Sequence, residues 1–273
     1  MTLADPSHVP EADPLPELPI LYRDERMVAV AKPEKMLVHR TEIANGDTVF
    51  AMQCVREQIG AYVWPVHRLD RGTSGVLLFA LSAEAASVLG RVMMAGGVQK
   101  RYAAVVRGWL ADPVDVRHAL SLPTDPYLKH RTKTEPQSAR TLFRPVAQAE
   151  VPVPCGAFPT TRLGLVEAEL LTGRRHQIRR HLKWLAHPII GDATYGKGPL
   201  NRALVPVLGT DRLMLHCARM AFTHPWTGER LELRADPAGA LASALGTLGW
   251  QDAFAQFARA PWQPVPEDWP VLG

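Results

Sequence analysis

Cysteine is scarce in this sequence: Cys54, Cys155 and Cys217 are odd in number, scattered and without C-x-x-C spacing. That excludes a disulfide framework and a cysteine-built zinc site, and leaves the three as small buried hydrophobes. Long apolar runs are missing too. None approaches the ~20 residues that span a bilayer, and the opening MTLADPSHVPEADPLPELP has neither the basic start nor the apolar stretch of a signal peptide. A cytoplasmic protein with no membrane partner is therefore expected. Neither G-x-G-x-x-G nor G-x-x-x-x-G-K-[ST] occurs, which disfavours nucleotide-cofactor folds. Nor does G-x-S-x-G, so Ser74 in GTSG reads as turn chemistry. Aromatics are only 7% and no RNP-like motif appears, which argues against a single-strand stacking platform.

What remains is an ordinary globular composition, 47% hydrophobic and 21% charged over 273 residues, enough for a sizeable core. The 31 basic against 27 acidic residues leave a modest +4, so only local clustering of cations can argue for a polyanionic partner. Residues 1–17 are rich in Pro, Asp and Glu and read as a mobile leader. One ordered domain is expected over 18–250, with a C-terminal tail over 251–273. ILYRDERMVAVAKP reads as a hairpin of strands 20–22 and 27–31 ended by Pro33. Asp47 can cap a helix carrying Val49, Met52, Val55 and Ile59, closed by Gly60. Ser82 caps a second with Ala85, Leu89, Val92 and Met93 on one face, stopped at Gly96 and Gly97.

VQKRYAAVVRG alternates as a strand. Residues 111–162 lose periodicity, hold many prolines and two basic clusters at 129–133 and 140–144, and read as long loops with a few short strands. Val166, Ala168 and Leu170 alternate with Glu167 and Glu169 as a half-buried strand. Ile178, Leu182 and Leu185 then recur at helical spacing, giving a helix over 174–185 that stops before Pro188. RLMLHCARMAFTHPWTGERLEL supplies two or three further strands around a turn at 225–228. There is no internal repeat and no regular strand–helix alternation.

The stretch with most chemistry is HRLDRGTSGVLLFAL, residues 67–81. It sets Asp70 between Arg68 and Arg71, just ahead of a run apolar on both faces that reads as a central strand. Asp70 is either an Asx turn or surface ion pair, or a nucleophile or base kept ionised by a guanidinium. The helix 174–185 carries Arg174, Arg175, His176, Arg179, Arg180, His181 and Lys183 with no carboxylate among them. It is either a merely solvated basic face or a face that wants phosphate. His176 and His181 are five apart, which is not the i,i+4 pairing of a helical zinc site, and His67 has no ligand pattern near it, so no metal is expected. Tyr102 by itself reads as a core or interface tyrosine.

Taken together and in order, HRLDRGTSGVLLFAL, QKRYAAVVRG, TGRRHQIRRHL and HPIIGD resemble the RluA-type pseudouridine synthases from about Leu18 to Ala235. The form LTGRRHQIRRHLKWLAHPIIGD, with PTTRLGLVEAEL and RLMLHCARMAFTHPWTGE, is most similar to the TruC branch, the tRNA pseudouridine-65 synthases. The resemblance implies an α+β fold, a mixed and largely antiparallel central sheet flanked by helices and loops; several relatives carry an S4 domain before the first strand, and the short acidic leader here is too small for one, so none is expected. It implies isomerisation of uridine in folded RNA without a cofactor. By the same resemblance Asp70 is the essential aspartate, Tyr102 the active-site tyrosine and Arg174 the arginine that pairs with Asp70. Arg68 is implied to fill the space left by the flipped base. Arg71, Arg175, His176, Arg179, Arg180 and Lys183 are then the expected RNA-binding set, and the expected partner is tRNA, gripped by a monomer. Competing expectations are a ribosomal RNA pseudouridine synthase and a non-catalytic RNA-binding module, which would bind RNA without forming product. A glycoside hydrolase would need a second carboxylate paired with Asp70, and no motif supplies one.

Overall fold

The computed structural model describes residues 14–39, 49–121, 135–262 and 268–273. Strands β1 (Ile20–Arg23) and β2 (Met27–Lys32) form the expected hairpin, its turn held by Asp24, which accepts from the Arg26 and Met27 N–H groups at 2.7 and 2.8 Å. Next come α1 (Ala51–Ile59), β3 (Trp64–Pro65), β4 (Ser74–Ala80), α2 (Ala83–Met94) and β5 (Val98–Arg107). They are followed by β6 (Val114–Val116), β7 (Thr141–Val151), β8 (Thr161–Leu170), α3 (Gln177–Trp184) and α4 (Gly198–Leu208). The order ends with β9 (Leu215–Thr223), β10 (Arg230–Arg234), α5 (Gly239–Thr247), α6 (Gln251–Arg259) and β11 (Val271–Leu272). The strands form a single sheet, β1-β2-β4-β9-β5-β8-β7-β6-β11, with β3 on β4 and β10 on β9. Among the described strands, only β4 with β9 and β6 with β11 run parallel. This is the α+β, largely antiparallel architecture the resemblance implied.

The centre of the sheet explains where the chemistry-bearing loop sits. Every residue of β4 is buried, as its unbroken apolar run requires. β4 meets β9 only at its first two residues, Ser74 opposite His216 and Gly75 opposite Cys217. Gly75 has φ +115°, and a Cβ there would lie 2.2 Å from the Cys217 carbonyl oxygen, so only glycine permits the approach. The loop before β4 is thereby tied to the middle of the sheet.

Several expectations change. Asp47 lies outside the described residues, as does the basic cluster at 129–133; the Phe50 N–H at the head of α1 bonds Gln53 Oε1 at 3.1 Å. The region read as loops contains β7, eleven residues long. Its Pro145 obscured the pattern, and the chain accommodates it with a register shift between Pro145 and Ala147 against β8. Strand β8 is buried on both faces, because Glu167 and Glu169 are covered and paired with Arg101 and Arg144. Cys54 and Cys217 are buried as expected, but Cys155 is only half-buried, in a turn against Phe158. The stretch 251–273 contains helix α6, whose Phe254 and Phe257 belong to the main core, and β11, which extends the sheet.

Phe254 lies tilted against His216, with ring centroids 6.0 Å apart, and packs edge-on against Phe257. Phe254→Ala should therefore cost about 3 kcal/mol in urea unfolding, the lower end for a buried aromatic. A loss below about 0.5 kcal/mol, the level of ordinary surface substitutions, would show that α6 does not belong to the core.

Candidate active site

A cleft of about 360 Å³ opens where the loop before β4, the middle of β5 and the approach to α3 converge. Asp70, Thr73, Lys100, Tyr102, Ile178 and Arg179 are among the side chains that line it. The loop is braced from below: the Thr73 N–H donates to the Asp70 carbonyl at 3.0 Å, and Lys32 Nζ reaches the Pro33 and Met36 carbonyls at 2.7 Å and that of Arg71 at 3.5 Å. Lys32 is buried, and burial together with the nearby Arg212 charge lowers its pKa to about 7. Further in, Arg212 donates from Nη2 to Ser74 Oγ and from Nη1 to Glu34, each at 2.8 Å; the Ser74 hydroxyl also lies 2.8 Å from His216 Nδ1. His67 is a structural member, its Nε2 accepting from the Leu78 N–H at 3.1 Å. Burial pushes its pKa down to about 3, which keeps that nitrogen an acceptor.

Asp70 meets two side chains from the α3 segment. Arg179 Nη1 donates to Asp70 Oδ2 at 2.9 Å, and His176 Nε2 stands 3.7 Å from Asp70 Oδ1. Arg179 is itself gripped by Asp192, from Nε to Oδ2 at 2.7 Å and from Nη2 to Oδ1 at 2.9 Å. Burial works upward on the Asp192 carboxyl, but the Arg179 hydrogen bonds and charge outweigh it and hold the pKa below the usual range. His176 is shifted down, by burial first and then by the charges of Arg179 and Arg175, against the pull of Asp70. Tyr102 is buried between Ala168 of β8 and Cys217 of β9, and its pKa lies well above 10 through burial and the neighbouring Cys217 and Asp70.

Arg174 is not the partner of Asp70. It is exposed at the cleft rim, where its Nε donates to the Ser138 carbonyl at 3.0 Å, and Arg179 takes the role assigned to it. The reason is where the helix begins. His176 has φ +56°, a left-handed conformation that breaks helical phase, so α3 starts at Gln177 and residue 174 belongs to a loop. Gln177 fixes that loop: its Nε2 donates to the Arg140 carbonyl at 3.0 Å and Thr141 Oγ1 at 2.8 Å, while its Oε1 accepts from Thr172 Oγ1 and the Arg174 N–H at 2.7 and 3.0 Å.

The basic face of α3 also divides. Arg179 is buried and doubly paired. His181 is buried, with Nε2 donating to the His118 carbonyl at 2.9 Å, and burial lowers its pKa to about 4. Arg180 Nη1 donates to the Ser121 carbonyl at 2.7 Å, and neither Arg180 nor the exposed Lys183 lines the cleft. Arg68 and Arg175 are exposed and do line it, and Arg71 is exposed on the Asp70 loop. Asp192, Tyr195, Lys100 and Lys32 were not anticipated as site residues. Asp192 left one signal, being the sole carboxylate between Glu169 and Asp211 in a segment rich in arginine. Among the described residues no group of three or more His, Cys, Asp or Glu is placed to hold a metal ion.

Known proteins with this fold carry the same architecture. A human protein, RNA pseudouridylate synthase domain containing 1, is 25% identical with a TM-score of 0.66, covering 91% of this chain and 97% of its own. The human RNA pseudouridylate synthase domain containing 4 shares the fold at 23% identity and TM-score 0.60, over 85% of this chain and 93% of its own. Among curated relatives, the tRNA pseudouridine synthase C of Vibrio cholerae is 43% identical over 239 residues, 87% of this chain and 98% of its own. That of Salmonella typhimurium is 45% identical over 236 residues, 86% of this chain and 91% of its own. Since the family model described as RNA pseudouridylate synthase matches residues 26–184, which hold Asp70, Tyr102 and Arg179, this chain belongs to that family and is an isomerase, a pseudouridine synthase.

Proposed function

We propose that this pseudouridine synthase acts on tRNA, at the uridine of position 65, with Asp70 as the reacting carboxylate. The observation that most supports the role of Asp70 is its 2.9 Å pair with Arg179 in a cleft also lined by Tyr102. The relatives named tRNA pseudouridine synthase C, aligned over most of this chain, favour tRNA over ribosomal RNA. On this reading the enzyme is a cytoplasmic monomer, a compartment that agrees with relatives named for a tRNA modification. Among the described residues no helix is long and apolar enough to cross a membrane.

A uridine in a stem hides its glycosidic bond, so the nucleotide must leave the stack at a cost of a few kcal/mol. Arg68, exposed beside the cleft, can occupy the vacated space, while the exposed Arg174 and Arg175 meet the flanking phosphates. The isomerisation breaks the bond from the ribose C1′ to N1 and forms one from C1′ to C5; C5 gives up its proton and N1 gains one. Asp70 serves as nucleophile toward the sugar or the ring, or as the base that takes a ribose proton. Arg179 holds the carboxylate in one orientation through a planar donor. Tyr102, with its phenol kept neutral, offers the uracil a stacking face and is a poor proton acceptor at neutral pH.

Asp70→Asn should abolish turnover, read as tritium release from C5-labelled uridine in tRNA, while RNA affinity stays within about threefold, because volume is kept and only the reacting charge is lost. A variant that kept a tenth of wild-type activity would move the essential role elsewhere. Arg179→Lys should lower kcat by about 100-fold or more, since a point donor replaces a planar fork that makes three hydrogen bonds, whereas Arg174→Lys should stay within about fivefold. Reversal of that ranking would restore Arg174 as the partner of Asp70. Finally, unmodified tRNA with uridine at position 65 and no added metal or cofactor should yield pseudouridine there, and cytidine at that position should yield none. Product confined to ribosomal RNA would overturn the tRNA assignment, and no product in any RNA would favour a binding module.

A further inference from the structure

Both side chains of the α3 segment that approach Asp70 trace back to one short turn, residues 192–195. Arg179 spends two of its nitrogens on Asp192 and points the third at Asp70 Oδ2. His176, 3.7 Å from Asp70 Oδ1, has its other ring nitrogen 3.0 Å from the Tyr195 hydroxyl, and the Tyr195 ring also lies 5.1 Å from the Arg179 guanidinium. The turn is closed by Asp192 itself, whose Oδ1 accepts from the Thr194 and Tyr195 N–H groups at 2.9 Å.

That turn is anchored in the sheet. The Ile190 N–H donates to the Val105 carbonyl of β5, and the Ile190 carbonyl accepts from the Met214 N–H, both at 2.9 Å. Gly191 has φ +76°, and a Cβ there would fall 1.7 Å from the Arg212 carbonyl oxygen, so the chain is locked against the segment that leads into β9. The Asp192 side chain is 1% exposed and no other acid in its segment competes for Arg179. Arg179 alone has long-chain rotamer freedom; the bidentate pair removes it, leaving one donor aimed across the cleft.

We propose that Asp192, with Tyr195, is a positioning residue of the isomerisation: the 192–195 turn sets Arg179 and His176 against the two oxygens of Asp70 and so fixes the carboxylate for reaction. The proposal rests on Asp70 being the reacting carboxylate. It involves no contact of Asp192 with RNA, so its signature is a loss in kcat without a loss in binding, and that loss must pass through Arg179.

Asp192→Asn keeps the oxygen that caps the turn but sets an amide N–H against the Arg179 Nε–H. Its kcat on tRNA should fall by about 100-fold, the effect of roughly 1 Å of misplacement at a reacting group, while Kd for tRNA stays within about threefold. In an Arg179→Met background the same substitution should cost less than about twofold more, because residues acting as one unit are non-additive. Tyr195→Phe, which removes only the hydroxyl beside His176 and so preserves the fold, should lower kcat by about 10-fold at unchanged Kd. Additive losses in the double variant, or wild-type kcat in Asp192→Asn or Tyr195→Phe, would overturn the positioning role. If Asp192→Asn failed to fold, Tyr195→Phe would decide. Asp70→Asn assayed alongside separates the two readings: activity there refutes Asp70 as the reacting group, whereas an inactive Asp70→Asn beside a fully active Asp192→Asn refutes only the positioning role.

Discussion

One guanidinium between two carboxylates organises this site. Arg179 is largely buried, and a buried cation is tolerated only when its donors are satisfied and its charge is matched. Asp192 does most of that matching, at 2.7 and 2.9 Å, and lies almost wholly out of solvent. Asp70 is the more exposed of the two partners, with 22% of its side chain open to the cleft. The inner carboxylate holds the arginine, and the outer one remains open to the cleft. Removing one partner of such a pair leaves an uncompensated charge.

The rest of the fold serves to bring these three together from distant parts of the chain. Asp70 comes from the loop ahead of β4, Arg179 from α3, and Asp192 from the turn between α3 and α4. The central strands that join them, β4, β5, β8 and β9, are largely buried on both faces. Opposite the cleft, Arg101, Arg144, Glu167 and Glu169 form a packed ion cluster, and Trp262 and Trp269 lie over Arg101 and Arg144 with ring centroids 4.3 and 4.6 Å from the guanidinium carbons. Burial raises the Glu169 pKa despite the arginines around it. The chain after residue 250 contributes to that closure, since Arg101 also donates to the Ala260 and Pro261 carbonyls at 2.9 Å.

Charge counting along the helix 174–185 misled because it treated each cation as solvent-facing. Two of the seven, Arg179 and His181, point inward. The apolar period of Ile178 and Leu182 already contained this information: Arg179 follows Ile178 and stands three residues before Leu182, on the flank of the buried stripe. The half-buried reading of β8 failed for a related reason. Alternation of apolar and acidic residues marks a solvated face only if nothing packs there, and arginines from β5 and β7 pack there.

Local order was legible in the sequence alone: the β1–β2 hairpin, the Ser82 cap of α2, the continuous burial of β4, and the motifs that placed the chain in its family. These depend on neighbours within a few residues, through turn chemistry, capping and side-chain period. The tertiary structure alone decided which arginine faces Asp70, that Asp192 stands behind it, and that α6 and β11 belong to the core and the sheet. Such choices rest on contacts between residues far apart in sequence, 109 positions for Arg179 and Asp70, where helix phase and strand order set the geometry. No local pattern records which charge will lie beside which once the chain has closed on itself.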